Sequence, residues 1–247
     1  MNSHGAGGRV ALVVGGSGGI GAAVTAALTS AGQRVAIAYS TDQEAAARTV
    51  AETGCLSIHS DVTDPGQVET LFAGVHAALG ADVQILVNCA GLLCDALIAE
   101  MTPEQWQAAL AVNLTAPFLC ASRAAAGMSA AGWGRIVNIG SPAGVLGSAG
   151  QANYAAAKAG LIGLTRSLAR ELAPTTTANL VLPGPVDTAL ITHLTDKRRR
   201  QICSLVPMKR FGTPAEAAAP VLFLCSEAAS YVTGAVLSVD GGMSMGH

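Results

Sequence analysis

The sequence predicts a doubly wound α/β fold, with seven parallel strands in one sheet and helices on both of its faces. Short runs rich in Val and Ile alternate with longer segments of helical periodicity, which is the pattern of repeated βαβ units. Apolar residues fill 51% of the 247 positions. They occur in short runs, as expected for strands that are buried on both faces. A chain of this length forms one sizeable core, so we expect a single domain over residues 9–247.

The elements can be placed in order along the chain. A long helix is predicted at about Gln151–Leu172, where apolar and small residues recur at helical spacing before Pro174. Residues 1–8 are polar and Gly-rich, and we expect a disordered lead-in there. Residues 187–213 lie in a proline-containing stretch with little strand character, which predicts a substrate lid. The predicted strands are Val10–Val14, Arg34–Tyr39, Cys55–His59, Ile85–Asn88, Arg135–Ile139, Thr177–Val181 and Val236–Val239.

Composition excludes several classes of protein. The net charge is -2 and no basic face is evident, so nucleic acid is not an expected partner. Mean hydropathy is +0.45, but no stretch approaches the roughly 20 uninterrupted apolar residues of a membrane span. The six cysteines form no C-x-x-C pair, and several lie within apolar runs. We therefore expect reduced thiols, a cytoplasmic location and no metal site.

A glycine-rich turn, Gly15–Gly21, follows the first strand and precedes an Ala-rich helical segment. Glycines let the backbone approach a pyrophosphate closely, and the N-terminus of the next helix offers free N–H groups to it. Such turns also serve plain strand–helix packing, but the order of strand, turn and helix favours a Rossmann-type dinucleotide site. The predicted cofactor contacts in this turn are Gly15, Ser17, Gly19, Ile20 and Gly21.

The end of the second strand indicates which dinucleotide is bound. An acid at this position would bind the ribose 2′-hydroxyl of NAD and repel the 2′-phosphate of NADP. The strand instead ends in Ser40 and Thr41, whose hydroxyls could bond that phosphate. The first acid, Asp42, is interpreted as part of a helix capping box formed by Thr41 and Glu44. The sequence therefore favours NADP(H) over NAD(H).

Tyr154 and Lys158 lie four residues apart, on one face of the long predicted helix. A nearby cation lowers the pKa of a phenol, so Lys158 is expected to make Tyr154 a usable proton donor and acceptor. Lys158 would also hold the nicotinamide ribose. Ser141 follows the fifth strand, where its hydroxyl could bond a substrate oxygen. Asn113 interrupts an apolar helical stretch, either to bind a water or backbone group or to kink the helix.

In order and spacing, Asn113, Ser141, Tyr154 and Lys158 resemble the catalytic tetrad of the short-chain dehydrogenase/reductase family. The glycine turn resembles that family's T-G-x-x-x-G-x-G, with Val14 in place of Thr. The resemblance spans nearly the whole chain and implies hydride transfer from nicotinamide to a carbonyl, with Tyr154 protonating the alkoxide. The resemblance also implies adenine contacts at Asp61 and Val62 and a structural turn with Asn88, Ala90 and Gly91. On the nicotinamide side it implies contacts at Pro183, Gly184, Val186 and Thr188.

Within that family, the chain is most similar to 3-oxoacyl-acyl-carrier-protein reductases. The similarity lies in the sequences of three segments, Gly140–Gly144, Gly150–Tyr154 and Gly160–Gly163. This resemblance implies NADPH-dependent reduction of a β-ketoacyl thioester, carried by an acyl carrier protein, in fatty-acid or polyketide assembly. It also implies a homotetramer, since the family commonly pairs its helices and last strands with twofold symmetry.

Three departures bear on the partner and the cofactor. Gly132 and Thr175 stand where bacterial fatty-acid members have carrier-docking arginines, and Gly18 stands where members selective for NADP often have a basic residue. The run Lys197–Arg200 is either a substitute docking patch or a solvated helix face.

A dehydrogenase of a free alcohol, sugar or quinone stays open as an alternative function. A cofactor-binding protein without turnover is a third, although such proteins usually lack the Tyr or the Lys.

Overall fold

Seven parallel strands form one continuous sheet in the computed structural model, which describes residues 8–188, 191 and 194–246. The strand order is β3-β2-β1-β4-β5-β6-β7, so the predicted doubly wound sheet is confirmed. The direction of winding reverses between β1 and β4, which creates a crevice at their carboxyl ends. The strands are β1 (Val10–Val14), β2 (Arg34–Tyr39), β3 (Leu56–His59), β4 (Ile85–Asn88), β5 (Gly134–Ile139), β6 (Thr176–Pro183) and β7 (Val236–Val239).

Helices cover both faces of the sheet, as predicted. A π-helical turn, Ala111–Thr115, joins α4 to α5, and a 3-10 turn, Glu227–Ala229, precedes β7. The long predicted helix is α7, with Gln151 and Leu172 as its capping residues. The helices are α1 (Gly19–Ser30), α2 (Gln43–Thr53), α3 (Pro65–Leu79), α4 (Pro103–Leu110), α5 (Ala116–Ala130), α6 (Ala143–Leu146), α7 (Ala152–Glu171), α8 (Asp196–Leu205) and α9 (Pro214–Leu224).

The core consists of two apolar layers because successive strand residues point to opposite faces. In β1, Leu12 and Val14 pack with the layer that contains α3, α5 and the end of α7. Ala11 and Val13 pack with the layer that contains α1, α2 and α9. The central strands are therefore buried on both sides, which explains their continuous apolar sequences.

One predicted helix cap and the bounds of three predicted strands need correction. Asp42, and not a box of Thr41 with Glu44, caps α2, because the helix begins at Gln43 and the Asp42 carboxylate accepts from the Ala45 N–H at 2.8 Å. β6 starts one residue before its predicted start and ends at Pro183, two residues beyond its predicted end. β3 starts one residue later than predicted, and β5 starts one residue earlier. Residues 1–7 of the predicted lead-in and four residues of the predicted lid lie outside the described residues. The lid itself stays a prediction.

The stretch from Pro103 to Ala130 has the length and composition of a membrane span. One side of it belongs to the core of this fold: Cys120, Ala124 and Met128 are buried in the layer over β4 and β5. The buried amide of Asn113 lies within the same stretch. Packing on the sheet thus accounts for the apolar residues on the buried side of this stretch.

A chain of buried polar side chains joins the sheet to α7. The Asn88 Nδ2 group donates to Asn138 Oδ1 at 2.8 Å, and the Asn138 Nδ2 group donates to Thr165 Oγ1 at 2.9 Å. All three side chains are buried. Unpaired polar groups in such surroundings are unfavourable, so this chain fixes how α7 sits on β4 and β5.

We predict that Asn138→Leu destabilises the protein by about 3 kcal/mol, because it leaves the Asn88 amide and the Thr165 hydroxyl without partners in a dry interior. Thr165→Val breaks only one bond and should cost about 1 kcal/mol. Urea denaturation followed by circular dichroism measures both values. Equal losses of unfolding free energy in the two variants would show that the Asn88–Asn138–Thr165 hydrogen bonds do not anchor α7.

Candidate active site

The glycine turn lies at the crevice between β1 and β4 and is built for close backbone approach. Gly15 has a φ of +75°, and a Cβ on it would lie 2.7 Å from the backbone of Ala90. A Cβ on Gly21 would lie 2.1 Å from the Gly15 carbonyl oxygen. No side chain caps the N-terminus of α1, so its first N–H groups are available to an anion. The turn therefore fits the pyrophosphate of a dinucleotide.

The loop after β6 packs against the glycine turn. A Cβ on Gly19 would lie 2.5 Å from Thr188 Cγ2. A Cβ on Gly184 would lie 2.7 Å from Cα of Asp240, which follows β7. The predicted contacts Pro183, Gly184, Val186 and Thr188 thus run from the end of β6 towards the predicted phosphate site.

The remaining predicted cofactor residues follow the neighbouring strands. Ser40 and Thr41 are exposed after β2, and Val62 is buried after β3. The Asp61 carboxylate accepts from the Thr63 hydroxyl at 2.7 Å and from its N–H at 2.9 Å, and these bonds lower the pKa of Asp61. Asn88 ends β4, with Ala90 and Gly91 just beyond it. All these residues therefore lie at the carboxyl edge of the sheet, where α/β folds bind ligands.

Tyr154 and Lys158 lie on the first turns of α7. Lys158 Nζ is 5.5 Å from the centroid of the Tyr154 ring. The same ammonium donates to the carbonyl oxygen of Ile139, the last residue of β5, at 2.8 Å. Lys158 is only 4% exposed. The end of β5 thus fixes the cation, and the cation lies beside the phenol.

The ionisation of the pair differs from the expectation that Lys158 lowers the pKa of Tyr154. Burial raises the pKa of Tyr154, and the opposing hydrogen bond with Ser141 is weaker. Burial also lowers the pKa of Lys158 to about 8. Spacing along a helix does not reveal burial, and here burial is the larger effect. The phenol is therefore protonated at neutral pH and suited to donate a proton.

Asn113 is fully buried in the π-helical turn. Its Nδ2 group donates to the carbonyl oxygens of Leu92 at 2.8 Å and Ala109 at 2.9 Å, and its Oδ1 accepts from the Leu92 N–H at 3.3 Å. Both interpretations left open by the sequence therefore hold, since the amide sits in an irregular helix and binds backbone. Asn113 shapes the loop after β4, while Ser141, Tyr154 and Lys158 come together at the end of β5.

Sequence reasoning missed three residues that join this loop to α7. The Asn153 side chain is fully buried and donates to the carbonyl oxygens of Cys94 at 3.0 Å and Gln105 at 3.1 Å. Its Oδ1 accepts from the Tyr154 N–H at 2.8 Å. Gln151 donates to the carboxylate of Asp95. The only indication in the sequence was the pair of amide side chains, Gln151 and Asn153, just before Tyr154.

The strand order and the glycine turn define a dinucleotide-binding α/β protein of the Rossmann type. Comparison with known proteins is more specific. A family model described as enoyl-(acyl carrier protein) reductase matches residues 15–244. The chain belongs to the short-chain dehydrogenase/reductase family, and membership implies a nicotinamide cofactor.

Three relatives match almost the full length of the chain. It is 43% identical to the 3-oxoacyl-acyl-carrier-protein reductase MabA of Mycobacterium tuberculosis, over 97% of this chain and 94% of the relative. It is 41% identical to the 3-oxoacyl-acyl-carrier-protein reductase FabG of Salmonella typhimurium, over 96% and 98%. It is 42% identical to an acetoacetyl-CoA reductase of Shinella zoogloeoides, over 95% and 98%.

We predict that Lys158→Met stabilises the folded protein at neutral pH by about 2 kcal/mol, because it removes a buried charge. The folded-state pKa is about 8, whereas an unfolded Lys titrates at about 10.4. Between these values the unfolded state of the wild type binds more protons, so its stability rises with pH and approaches that of the variant.

Thermal unfolding of the wild type and Lys158→Met across pH 6–11 measures this difference. Lys197→Met, which removes an exposed lysine, is the control and should show no such convergence. A variant less stable than the wild type at pH 7 would contradict the assigned cost of burying Lys158.

Proposed function

We propose that the protein reduces a β-ketoacyl thioester, carried by an acyl carrier protein, to the β-hydroxyacyl thioester with NADPH, in fatty-acid or polyketide assembly. The observation that carries this proposal is the arrangement at the end of β5, where the half-buried Tyr154 is hydrogen-bonded to Ser141 and its ring centroid lies 5.5 Å from Lys158 Nζ. The names of the full-length relatives support the same chemistry.

In this mechanism the bound nicotinamide supplies the hydride that adds to the carbonyl carbon. Tyr154 gives its phenolic proton to the carbonyl oxygen as negative charge develops there. Ser141 donates a hydrogen bond to the same oxygen and stabilises that charge. Lys158 uses one of its three N–H donors on Ile139, which leaves donors for the nicotinamide ribose and a positive charge beside the phenol.

The preference for NADPH rests on the end of β2. Ser40 and Thr41 present exposed hydroxyls there, which suit a 2′-phosphate. The first acid, Asp42, uses its carboxylate to cap α2. The cofactor contacts proposed in the glycine turn are Gly15, Ser17, Gly19, Ile20 and Gly21. Beyond that turn they are Ser40, Thr41, Asp61, Val62, Asn88, Ala90, Gly91, Tyr154, Lys158, Pro183, Gly184, Val186 and Thr188.

A second candidate is reduction of a thioester that is not bound to a carrier. Gly132 and Thr175 replace the arginines expected for carrier docking, and one relative is named for a coenzyme A thioester. Activity on free alcohols, sugars or quinones would identify the broader dehydrogenase alternative. A protein without turnover is disfavoured, since Tyr154 and Lys158 are both present.

We also propose a cytoplasmic homotetramer. Phe118 on α5 is 50% exposed and Leu237 on β7 is 37% exposed, and twofold pairing of these elements would cover both side chains. All six cysteines are free, as is usual in a reducing compartment.

The proposed docking surface is the exposed side of α8. Lys197, Arg198 and Arg200 are exposed. Arg199 differs, because it pairs with Asp187 at 3.0 Å and stacks on the Phe211 ring at 4.5 Å. Three cations of the run are thus oriented to solvent, and one ties α8 to the rest of the predicted lid.

We predict that Tyr154→Phe abolishes reduction of a carrier-bound acetoacetyl thioester, with kcat lowered at least about 100-fold, because it removes the proton donor. NADPH affinity should stay within about twofold, since little volume is lost. Stopped-flow assays with NADPH and NADH side by side measure both the rate and the cofactor preference. Retention of most of kcat would exclude the assigned proton transfer.

We predict that the combined variant Lys197→Ala, Arg198→Ala, Arg200→Ala raises KM for the carrier-bound substrate about fivefold at low ionic strength, because surface charges steer an acidic partner. A small thioester mimic should keep its KM. The control, Arg48→Ala, removes an exposed cation from α2. An unchanged carrier KM, or equal damage to both substrates, would leave α8 as an ordinary solvated helix.

A further inference from the structure

One acidic side chain is bonded at the start of the helix that carries the proposed proton donor, and it has no part in the mechanism above. Asp95 is exposed in the loop after β4. Its two carboxylate oxygens accept from Gln151 Nε2 at 3.1 and 3.0 Å. Gln151 occupies the N-cap position of α7 without a side-chain capping bond, and Tyr154 lies three residues further on. The carboxylate is therefore held at the start of the helix that carries the phenol.

Several bonds fix this part of the loop. The Ala96 N–H donates to the Gly150 carbonyl oxygen at 2.9 Å, and Ala96 forms a parallel bridge with Gln151. One residue before Asp95, the Cys94 carbonyl oxygen accepts from the buried amide of Asn153. The backbone on both sides of Asp95 is thus bonded to α7 or to the residues just before it. A carboxylate held in this way acts as a fixed charge.

Gln151 holds the Asp95 carboxylate at the end of α7 that carries Tyr154, so this negative charge and the phenol lie at the same end of the helix. After the larger effects of burial and of the Ser141 hydrogen bond, Asp95 contributes a further increase to the pKa of Tyr154. The carbonyl oxygen of any substrate must lie at the Tyr154 hydroxyl to receive its proton. A group attached close to that carbonyl therefore comes under the same negative charge.

We propose that Asp95 is a specificity-determining residue, which excludes ketones that carry a neighbouring carboxylate and admits neutral thioesters. The inference rests on the proposed function, since the substrate there is a β-ketoacyl thioester. A free β-keto acid differs from its thioester by one negative charge, two carbon atoms from the ketone. Two like charges a few ångströms apart near a protein surface repel by an energy that corresponds to about tenfold in affinity.

Selection of neutral thioesters over free β-keto acids suits a pathway whose intermediates are activated acyl groups. A hydrolysed, free β-keto acid would be rejected by its charge, although its ketone is chemically similar. The Gln151 amide keeps the carboxylate in place and leaves its charge intact.

The test compares acetoacetate with its neutral ethyl ester, titrated calorimetrically into the NADP⁺-loaded enzyme. In the wild type we expect the acid to bind more weakly than the ester. Asp95→Asn keeps the size of the side chain and an oxygen that accepts from Gln151. In this variant, the ratio of the two Kd values, acid over ester, should fall about tenfold. Asp95→Ser should lower the ratio in the same way.

The control is Glu100→Gln, which neutralises an exposed acid further along the same loop and should leave the ratio unchanged. An unchanged ratio in both Asp95 variants, or an equal fall in Glu100→Gln, would overturn the inference. The titration does not depend on turnover. If the wild type fails to reduce a thioester but Asp95→Asn lowers the ratio, the proposed function fails while the charge selection stands.

Discussion

The bond from Lys158 Nζ to the Ile139 carbonyl oxygen is the contact on which the candidate site depends. It places a cation at the end of a central strand and against the first turns of α7. Burial opposes the charge and lowers its pKa to about 8. The sheet must therefore hold α7 firmly, and the Asn88–Asn138–Thr165 chain does so at the next turns of the helix. The position of Tyr154 follows from these two attachments.

The fold was largely readable from sequence because the central strands are buried on both faces. All seven strands were predicted, four with the observed bounds and the other three with an end displaced by one or two residues. The end of β6 was missed because Pro183 suggested a loop, although it continues the strand at its last position. The cap of α2 was misassigned because Thr41, Asp42 and Glu44 all favour helix starts, and only the geometry selects among them.

The candidate site was less predictable, because its interactions depend on distance in space. Asp95 and Gln151 are 56 residues apart, and no local pattern links them. The shift in the pKa of Tyr154 comes mainly from burial, which helix spacing does not reveal. Asn113 could be recognised as unusual, but its partner Leu92 could not. The roles of Asn113, Ser141, Tyr154 and Lys158, and the cofactor contacts, stay predictions.

The close approach of Thr188 to Gly19 would have a kinetic consequence at the proposed cofactor site. The loop after β6 packs against the glycine turn, so a dinucleotide bound at that turn would also contact this loop. Exchange of oxidised for reduced cofactor would then require the loop to move. On this proposal, the glycine turn would set the affinity for the dinucleotide and the neighbouring loop would set the rate of its exchange.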